Sequence, residues 1–302
     1  MDISNEFQQF RICHLSTTMH LRVTNGSEGR KQLEIRNVAI VTKFNNPVAI
    51  DAGRKIAEYF KTRNAQVFSV NNIDRSDVIM VSPEKIRDLD LDLVFAVGGD
   101  GTTLRTFRMV PNMTPVFSIN IGGTRGILAE VGHSDIGTQL EAIVKDEYFL
   151  DSRIRLQAQI EGKILGPALN DVVITRVNLT RTPSLRISLL NEHVSQRMDG
   201  IIISTPTGST GHSLSLDGPI IHEQVKCLLI HPVAPVNKMP CLIVEPQDIS
   251  ITSSNDSKVV IDGQEVFDVK AESPITISRY PFDGMFVRLN KRGIQQVARL
   301  GF

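Results

Sequence analysis

The chain has 302 residues, 41% apolar and 22% charged, which is long enough for two compact domains with a real core and excludes a disordered chain. Thirty-three basic and thirty-three acidic residues cancel, so no global field recruits nucleic acid or an anionic membrane. No tryptophan and only 5% aromatic residues leave little stacking surface for single-stranded nucleic acid. Cys13, Cys227 and Cys241 are odd in number and lack zinc-site spacing, so they read as reduced thiols of a cytoplasmic protein. Neither a spanning apolar run nor a signal-peptide pattern is found, which predicts no membrane partner.

Residues 1–36 show no sustained period and contain the turn-like Asn25-Gly26-Ser27-Glu28-Gly29 stretch, which predicts an extension without a regular element. Val38 to Val41 predicts a strand, and after Asn45-Asn46-Pro47 the apolar residues Ala49, Ile50, Ala52, Ile56 and Phe60 predict a helix. A second strand is predicted from Gln66 to Val70. Leu91 to Val97 is a nearly continuous apolar run ending in glycines, the pattern of a strand buried on both faces of a parallel sheet. A helix follows through Leu104, Phe107, Arg108 and Val110 until Pro111 stops it. Alternating elements of this kind predict a doubly wound α/β domain over residues 37–148. The pattern then changes. Arg153 to Ile160 alternates as one strand, Glu161-Gly162 reads as a hairpin turn, and short strands recur at Leu185 to Leu190 and Val259 to Val260. Residues 149–280 therefore read as a β-rich domain. An amphipathic helix at Arg292 to Leu300 suits the α/β domain, so residues 281–302 are expected to return there.

The chemistry centres on Gly98-Gly99-Asp100-Gly101-Thr102. Where a buried strand runs into a helix, glycines leave backbone N–H groups unobstructed around one concavity, and the helix dipole adds attraction for phosphate. A carboxylate among these amides would repel bare phosphate. Asp100 therefore holds Mg²⁺ or accepts the proton of an attacking hydroxyl, and either role belongs to phosphoryl transfer. The bland alternative is a glycine turn with an exposed aspartate. Neither a Walker motif nor a dehydrogenase fingerprint fits the spacing. A second stretch, Asp199 to Ser215, runs from an apolar strand into a hydroxyl-rich loop opened by Gly208 and Gly211. Such a loop binds sugars, phosphates or base edges, or is simply an exposed Ser/Thr turn.

Taken together, the loop Gly98 to Arg108, the pair Asn170-Asp171, Asp199 to Ser215, and the shorter stretches Pro115 to Asn120, Ile230 to Pro235 and Asp262-Gly263-Gln264 resemble the NAD kinase family, in order, from about Val38 onward. The resemblance implies an α/β domain and a β-rich domain with the site in the crevice between them. It also implies NAD and ATP or polyphosphate as substrates, a divalent metal such as Mg²⁺, and a homo-oligomer, dimer or tetramer, in which a neighbouring subunit helps complete the NAD site. Diacylglycerol and sphingosine kinases share the glycine loop, so a lipid kinase is one alternative, and a non-catalytic NAD or NADP sensor is another.

Carried over by position, Asp100 would activate the 2′-hydroxyl of the adenosine ribose while Gly98, Gly99, Gly101 and Thr102 hold phosphates. Asn170 and Asp171 would bond ribose hydroxyls, Thr210, Gly211, His212 and Ser215 would face the adenine, and Asp199 would lie near the nicotinamide. Arg105 and Arg108 either steer a polyphosphate or lie on a solvated helix face. The chain departs from the family in His212 for a usual Tyr, Asp171 for a usual Glu, Gly211 for a common Ala, and one extra residue between Asn120 and Gly126, where Arg125 becomes a candidate phosphate contact. No protein metal cluster is expected: His133, His193 and His222 are scattered. His231 reads as structural, and Asp262 as part of a hairpin turn.

Overall fold

The computed structural model describes residues 35–122, 126–129, 131–132 and 135–290. The extension up to residue 34 and the expected helix at Arg292 to Leu300 lie outside the described residues.

Asn37–Thr42 forms the first buried strand. The polar turn after it opens α1 (Pro47–Lys61): the Asn46 side chain accepts the Ala49 N–H at 2.9 Å, and Pro47 fits the first turn, where a donor is not needed. Ala49, Ala52, Ile56 and Phe60 bury one face of α1 on the sheet. Leu93–Gly98 is buried throughout. It begins two residues later than the apolar run suggests, because the Asp92 carboxylate accepts the N–H groups of Arg36 and Asn37, each at 2.8 Å. The glycines end this strand and α2 (Asp100–Met109) starts on Asp100 itself. A third helix, α3 (Ile136–Val144), packs beside α1.

The first sheet has eight strands. In spatial order they are Ile79–Met80, Gln66–Ser69, Asn37–Thr42, Leu93–Gly98, Val116–Asn120, Gly284–Arg288 and Phe149–Arg153, with Val131–Gly132 paired to Val116–Asn120. All pairs are parallel except the last, in which Gly284–Arg288 runs antiparallel to Phe149–Arg153. The strand order reverses between Asn37–Thr42 and Leu93–Gly98, so a crevice opens beyond the carboxyl ends of these strands, where Gly98 leads into α2.

Two six-stranded antiparallel sheets form the rest. The second runs Leu242–Val244, Leu228–Val233, Gly200–Ser204, Asp171–Arg176, Ser257–Ile261, Glu265–Val269; the third runs Glu192–Arg197, Ser184–Leu189, Ile249–Ser253, Ile275–Arg279, Leu156–Ile160, Lys163–Ala168. Alternate residues of both, among them Val172, Ile174, Ile201, Ile187, Ile251 and Ile277, fill one shared core, as in a sandwich. The fold is thus α/β followed by a β-rich sandwich. The hairpin at Glu161-Gly162 has positive φ at both residues (49° and 81°), a tight turn whose twist matches its strands.

The alternation from Arg153 to Ile160 is not one strand. It breaks after Arg153, which stays in the first sheet, and resumes at Leu156 in the third. Arg155 fills the break, fully buried. Its guanidinium donates to the carbonyls of Phe107 and Val110 (3.0 and 2.8 Å), Pro111 and Asn112 (3.0 Å each), and Phe282 (2.8 Å), so a cation caps the carbonyl end of α2. Leu169, just before the second sheet, packs in the same cluster as Leu104, Phe107, Leu128 and Phe286 of the α/β part.

Candidate active site

Gly98 closes its strand with no room for a side chain, since a Cβ there would lie 2.1 Å from the Thr102 hydroxyl. Gly99 caps α2 and its carbonyl accepts the N–H groups of Thr102 and Thr103 at 3.0 and 3.1 Å. The first N–H groups of α2, from Asp100 and Gly101, point out of the helix with no intrahelical acceptor. The Asp100 carboxylate turns toward the segment after Val116–Asn120: Oδ2 accepts the Ile127 N–H at 3.0 Å and Oδ1 the Leu128 N–H at 3.1 Å. A carboxylate has about four lone-pair positions, so these two bonds fix its orientation and leave it able to accept more.

At the edge of the second sheet, three strand ends converge. Asp171 opens one strand and pairs with Ser204, which closes another, while Val172 pairs with Ile261 at the end of a third. Asp262 follows Ile261 and does more than turn the chain. Its buried carboxylate accepts the N–H groups of Leu169 (3.0 Å), Asn170 (2.8 Å) and Asp171 (3.2 Å). Burial holds the Asp262 carboxyl above its ordinary value, although these three bonds pull it down. The neighbouring Asp171 is 4% exposed. Burial, then the Asp262 charge, push its carboxyl from 3.8 to about 7. The Asn170 Oδ1, also shielded, has no donor among the described residues.

The hydroxyl-rich loop is built onto the Asn170 backbone. Thr205 N–H and the Ser204 hydroxyl donate to the Asn170 carbonyl at 2.8 and 3.2 Å, and the Thr205 hydroxyl donates to the Leu169 carbonyl at 2.6 Å. Gly208 passes so close that a Cβ would lie 2.2 Å from the Asn170 carbonyl oxygen. A Cβ at Gly211 would lie 3.5 Å from Asn170 Nδ2, so the amide of Asn170 borders Gly211. Thr210 is half-buried, its hydroxyl on the Thr207 carbonyl at 3.2 Å. His212 and Ser215 are exposed, and the Ser215 hydroxyl donates to the His212 carbonyl at 2.7 Å. His231 is buried against the Ser213 hydroxyl at 2.9 Å.

Asp199 stands apart from these groups. It precedes the five-residue strand Gly200–Ser204, and at roughly 3.3 Å per residue that strand carries it well away from Asn170. There it pairs with Arg176 at 2.9 Å.

The two halves of the site touch through the Asp262 turn. Gln264 donates its side-chain amide to the Gly101 carbonyl at 2.9 Å and accepts from Arg108 Nη2 at 2.7 Å, while Arg108 Nε pairs with Glu265 at 2.8 Å. Arg108 is therefore buried in the seam and not on a solvated face. Arg105 is half-buried and donates to the Asn71 side chain at 3.0 Å, beside the strand end at Ser69; burial, then Arg108, lower its pKa. Arg125 lies outside the described residues.

Sequence reasoning gave no role to a second link, a buried ion cluster at the seam. Asp151 accepts from Arg153 Nε and Nη2 (2.8 and 2.5 Å), from Arg288 Nε (3.1 Å) and from Gln224 (2.6 Å). Arg153 also pairs with Glu223 and reaches the Thr207 hydroxyl at 3.3 Å, and Arg288 Nη1 donates to the Leu128 carbonyl at 2.8 Å. Burial pushes the Asp151 carboxyl up, but the two guanidiniums outweigh it and hold the group below the ordinary carboxylate range. A charged pair two residues apart at Asp151 and Arg153, both facing one side of a strand, was the available signal.

The sequence model described as the ATP-NAD kinase N-terminal domain matches residues 38–148, and that of the ATP-NAD kinase C-terminal domain matches residues 162–289. Among curated relatives, an NAD kinase of Geotalea daltonii is 32% identical over 88% of this chain and 97% of its own length. One of Pyrococcus furiosus is 35% identical over 68% and 76%, and one of Methanosarcina acetivorans is 28% identical over 85% and 95%. Among solved structures, an NAD kinase from Archaeoglobus fulgidus in complex with ATP superposes with a TM-score of 0.71 at 24% identity, over 87% of this chain and 98% of that one. Yeast NADH kinase complexed with NADH gives 0.78 at 21% identity, over 88% and 86%. These two likenesses concern the fold.

Proposed function

This chain belongs to the ATP-NAD kinase family, as a divergent member, and from that premise we propose that it transfers a phosphoryl group from ATP or polyphosphate to the 2′-hydroxyl of the adenosine ribose of NAD, yielding NADP. The observation that carries the reading is the contact of the glycine loop with the Asn170-Asp171 segment through one turn, in which Gln264 holds Gly101 and Asp262 holds Asn170 and Asp171.

In this reading the outward N–H groups at the start of α2 receive phosphate oxygens, aided by the helix dipole. Asn170 Oδ1, lacking a donor among the described residues, accepts one ribose hydroxyl, and the Asp171 carboxylate a second. Asp100, held by Ile127 and Leu128, accepts the 2′-hydroxyl proton as the oxygen attacks the terminal phosphorus, whose bond to the bridging oxygen breaks to release ADP or a polyphosphate one unit shorter. Gly211 and Thr210 border the adenine, with His212 and Ser215 at the exposed rim. Arg105 and the loop glycines face the donor side.

A divalent metal of the Mg²⁺ type fits Asp100 as its one carboxylate at the phosphate loop, the remaining ligands coming from substrate phosphates and water. Among the described residues no group of three or more His, Cys, Asp or Glu could hold a metal by itself. When bound, such a cation neutralises charge on the transferring group. We further propose a cytoplasmic homo-oligomer in which Asp199, remote from Asn170 within one chain, serves a neighbouring copy. Among the described residues no helix is long and apolar enough to cross a membrane, and the lipid-kinase reading has no specific support.

The test is NADP formation, followed with an NADP-specific dehydrogenase, using first ATP and then polyphosphate. NADP from either donor is the expected result. NAD binding without turnover would replace this reading with a sensor, and phosphorylation of diacylglycerol would replace it with a lipid kinase.

A further inference from the structure

The buried cluster of Asp151, Arg153 and Arg288 lies between the two halves of the site and touches both. On one side Arg288 Nη1 holds the Leu128 carbonyl at 2.8 Å, and Leu128 N–H holds Asp100 Oδ1 at 3.1 Å. On the other, Arg153 Nη1 reaches the Thr207 hydroxyl at 3.3 Å, at the entrance to the loop that carries Thr210. Asp151 joins the two arginines, and both guanidiniums lie over the Phe286 ring, at 4.1 Å for Arg288 and 5.5 Å for Arg153. Arg153 and Arg288 are no more than 1% exposed. Apolar packing of the same volume is often as stabilising as a buried ion cluster of this kind, so stability alone does not account for it.

We propose that Arg288 and Asp151 are positioning residues for phosphoryl transfer, holding Leu128, and through it the Asp100 carboxylate, in register with the loop that begins at Thr207. This rests on the reading of Asp100 as the base. Arg288 reaches the Asp100 side through the Leu128 carbonyl. Asp151 acts on both sides, because it also orients Arg153.

The test compares Arg288→Met, which removes the donors to Leu128 and Asp151, with Arg288→Lys, which keeps the charge, and Asp151→Asn. It measures kcat and KM for NAD and donor, NAD affinity by calorimetry, and hydrogen exchange at the Ile127 and Leu128 amides. Arg288→Met is expected to lower kcat ten- to hundredfold with NAD affinity within threefold of the parent and faster exchange at Leu128. Arg288→Lys should recover part of kcat, and Asp151→Asn should lower kcat and raise KM for NAD together. A folded Arg288→Met protein with parental kcat overturns the proposal. So does a kcat loss matched by an equal loss of NAD affinity and by faster exchange throughout, which marks a purely structural role. Should Arg288→Met fail to fold, Arg288→Lys decides alone: slower turnover with faster Leu128 exchange supports the proposal, and no change in either overturns it. If the parent makes no NADP, the assignment of function fails, while Leu128 exchange in these variants still decides whether Arg288 positions the segment.

Discussion

Gln264 donates to the backbone carbonyl of Gly101 at 2.9 Å, so a hairpin turn of the second sheet grips the glycine loop of the first. Its other amide atom accepts from Arg108. Gln264→Glu keeps an acceptor for Arg108 but sets an oxygen against the Gly101 carbonyl. The expected result is a five- to tenfold rise in KM for the phosphoryl donor with about 1–2 kcal/mol lost in stability. Gln264→Ala should cost more, since Arg108 then loses a charged hydrogen bond in a buried place. Steady-state kinetics and thermal melts check both.

Asp100→Asn retains one acceptor for the two amides of Ile127 and Leu128 and turns an NH₂ toward the other. NAD binding should weaken no more than severalfold, whereas turnover should fall about hundredfold or more, the usual contribution of a general base. Undiminished turnover would remove Asp100 from the base role.

Asp171 should give the site a pH dependence. Its carboxyl is raised from 3.8 to about 7 in the folded chain by burial and by Asp262. The folded state therefore binds the extra proton between those values. The stability it contributes is complete below the unfolded value and is lost as pH rises through the folded one. Asp171→Asn cannot ionise, so the variant should gain on the parent from pH 4 to 7 and exceed it by about 4 kcal/mol at pH 8. Denaturant melts across that range measure the difference. NAD affinity of the parent should strengthen as pH passes 7 and the ionised group can accept ribose hydroxyls, and Asp171→Asn should flatten that curve in calorimetry.

Gly208→Ala would set a Cβ 2.2 Å from the Asn170 carbonyl oxygen, a backbone atom that cannot swing aside. We expect a loss of about 3 kcal/mol and a melting temperature lower by roughly 6–10 °C. KM for NAD should rise more than tenfold as the Asn170 segment shifts. A parental melt would show that the two segments separate easily.

What the sequence made legible is what it encodes locally. The glycine loop is announced by the abrupt end of an apolar run, the start of α1 by Asn46 and Pro47, and the hydroxyl-rich loop by Pro206, Gly208 and Gly211. The illegible parts depend on distant partners. Asp262 looks complete as a turn residue, and its carboxylate acquires a role only when Leu169, 93 residues earlier, arrives beside it. Arg153 and Arg155 read as the polar positions of one alternating strand, yet both are buried, Arg153 ending a strand of the first sheet and Arg155 lying in the break before the third. Arg108 offers the same lesson: a charge on a helix face is solvated only if nothing covers the face, and here Gln264 and Glu265 do.

The strand Gly284–Arg288 sits between Val116–Asn120 and Phe149–Arg153. A segment far along the chain thus completes a sheet whose other members emerge from the ribosome much earlier. Until it arrives, Phe149–Arg153 has no strand neighbour in that sheet among the described residues, and Arg288 is missing from Asp151. The nascent α/β half then has an open edge while the sandwich is made, and slow folding with exposure to aggregation is the expected consequence. A chain cut just before residue 284 is therefore expected to melt lower and stay less soluble than the parent, and a parental thermal melt would show that the first sheet stands without this strand.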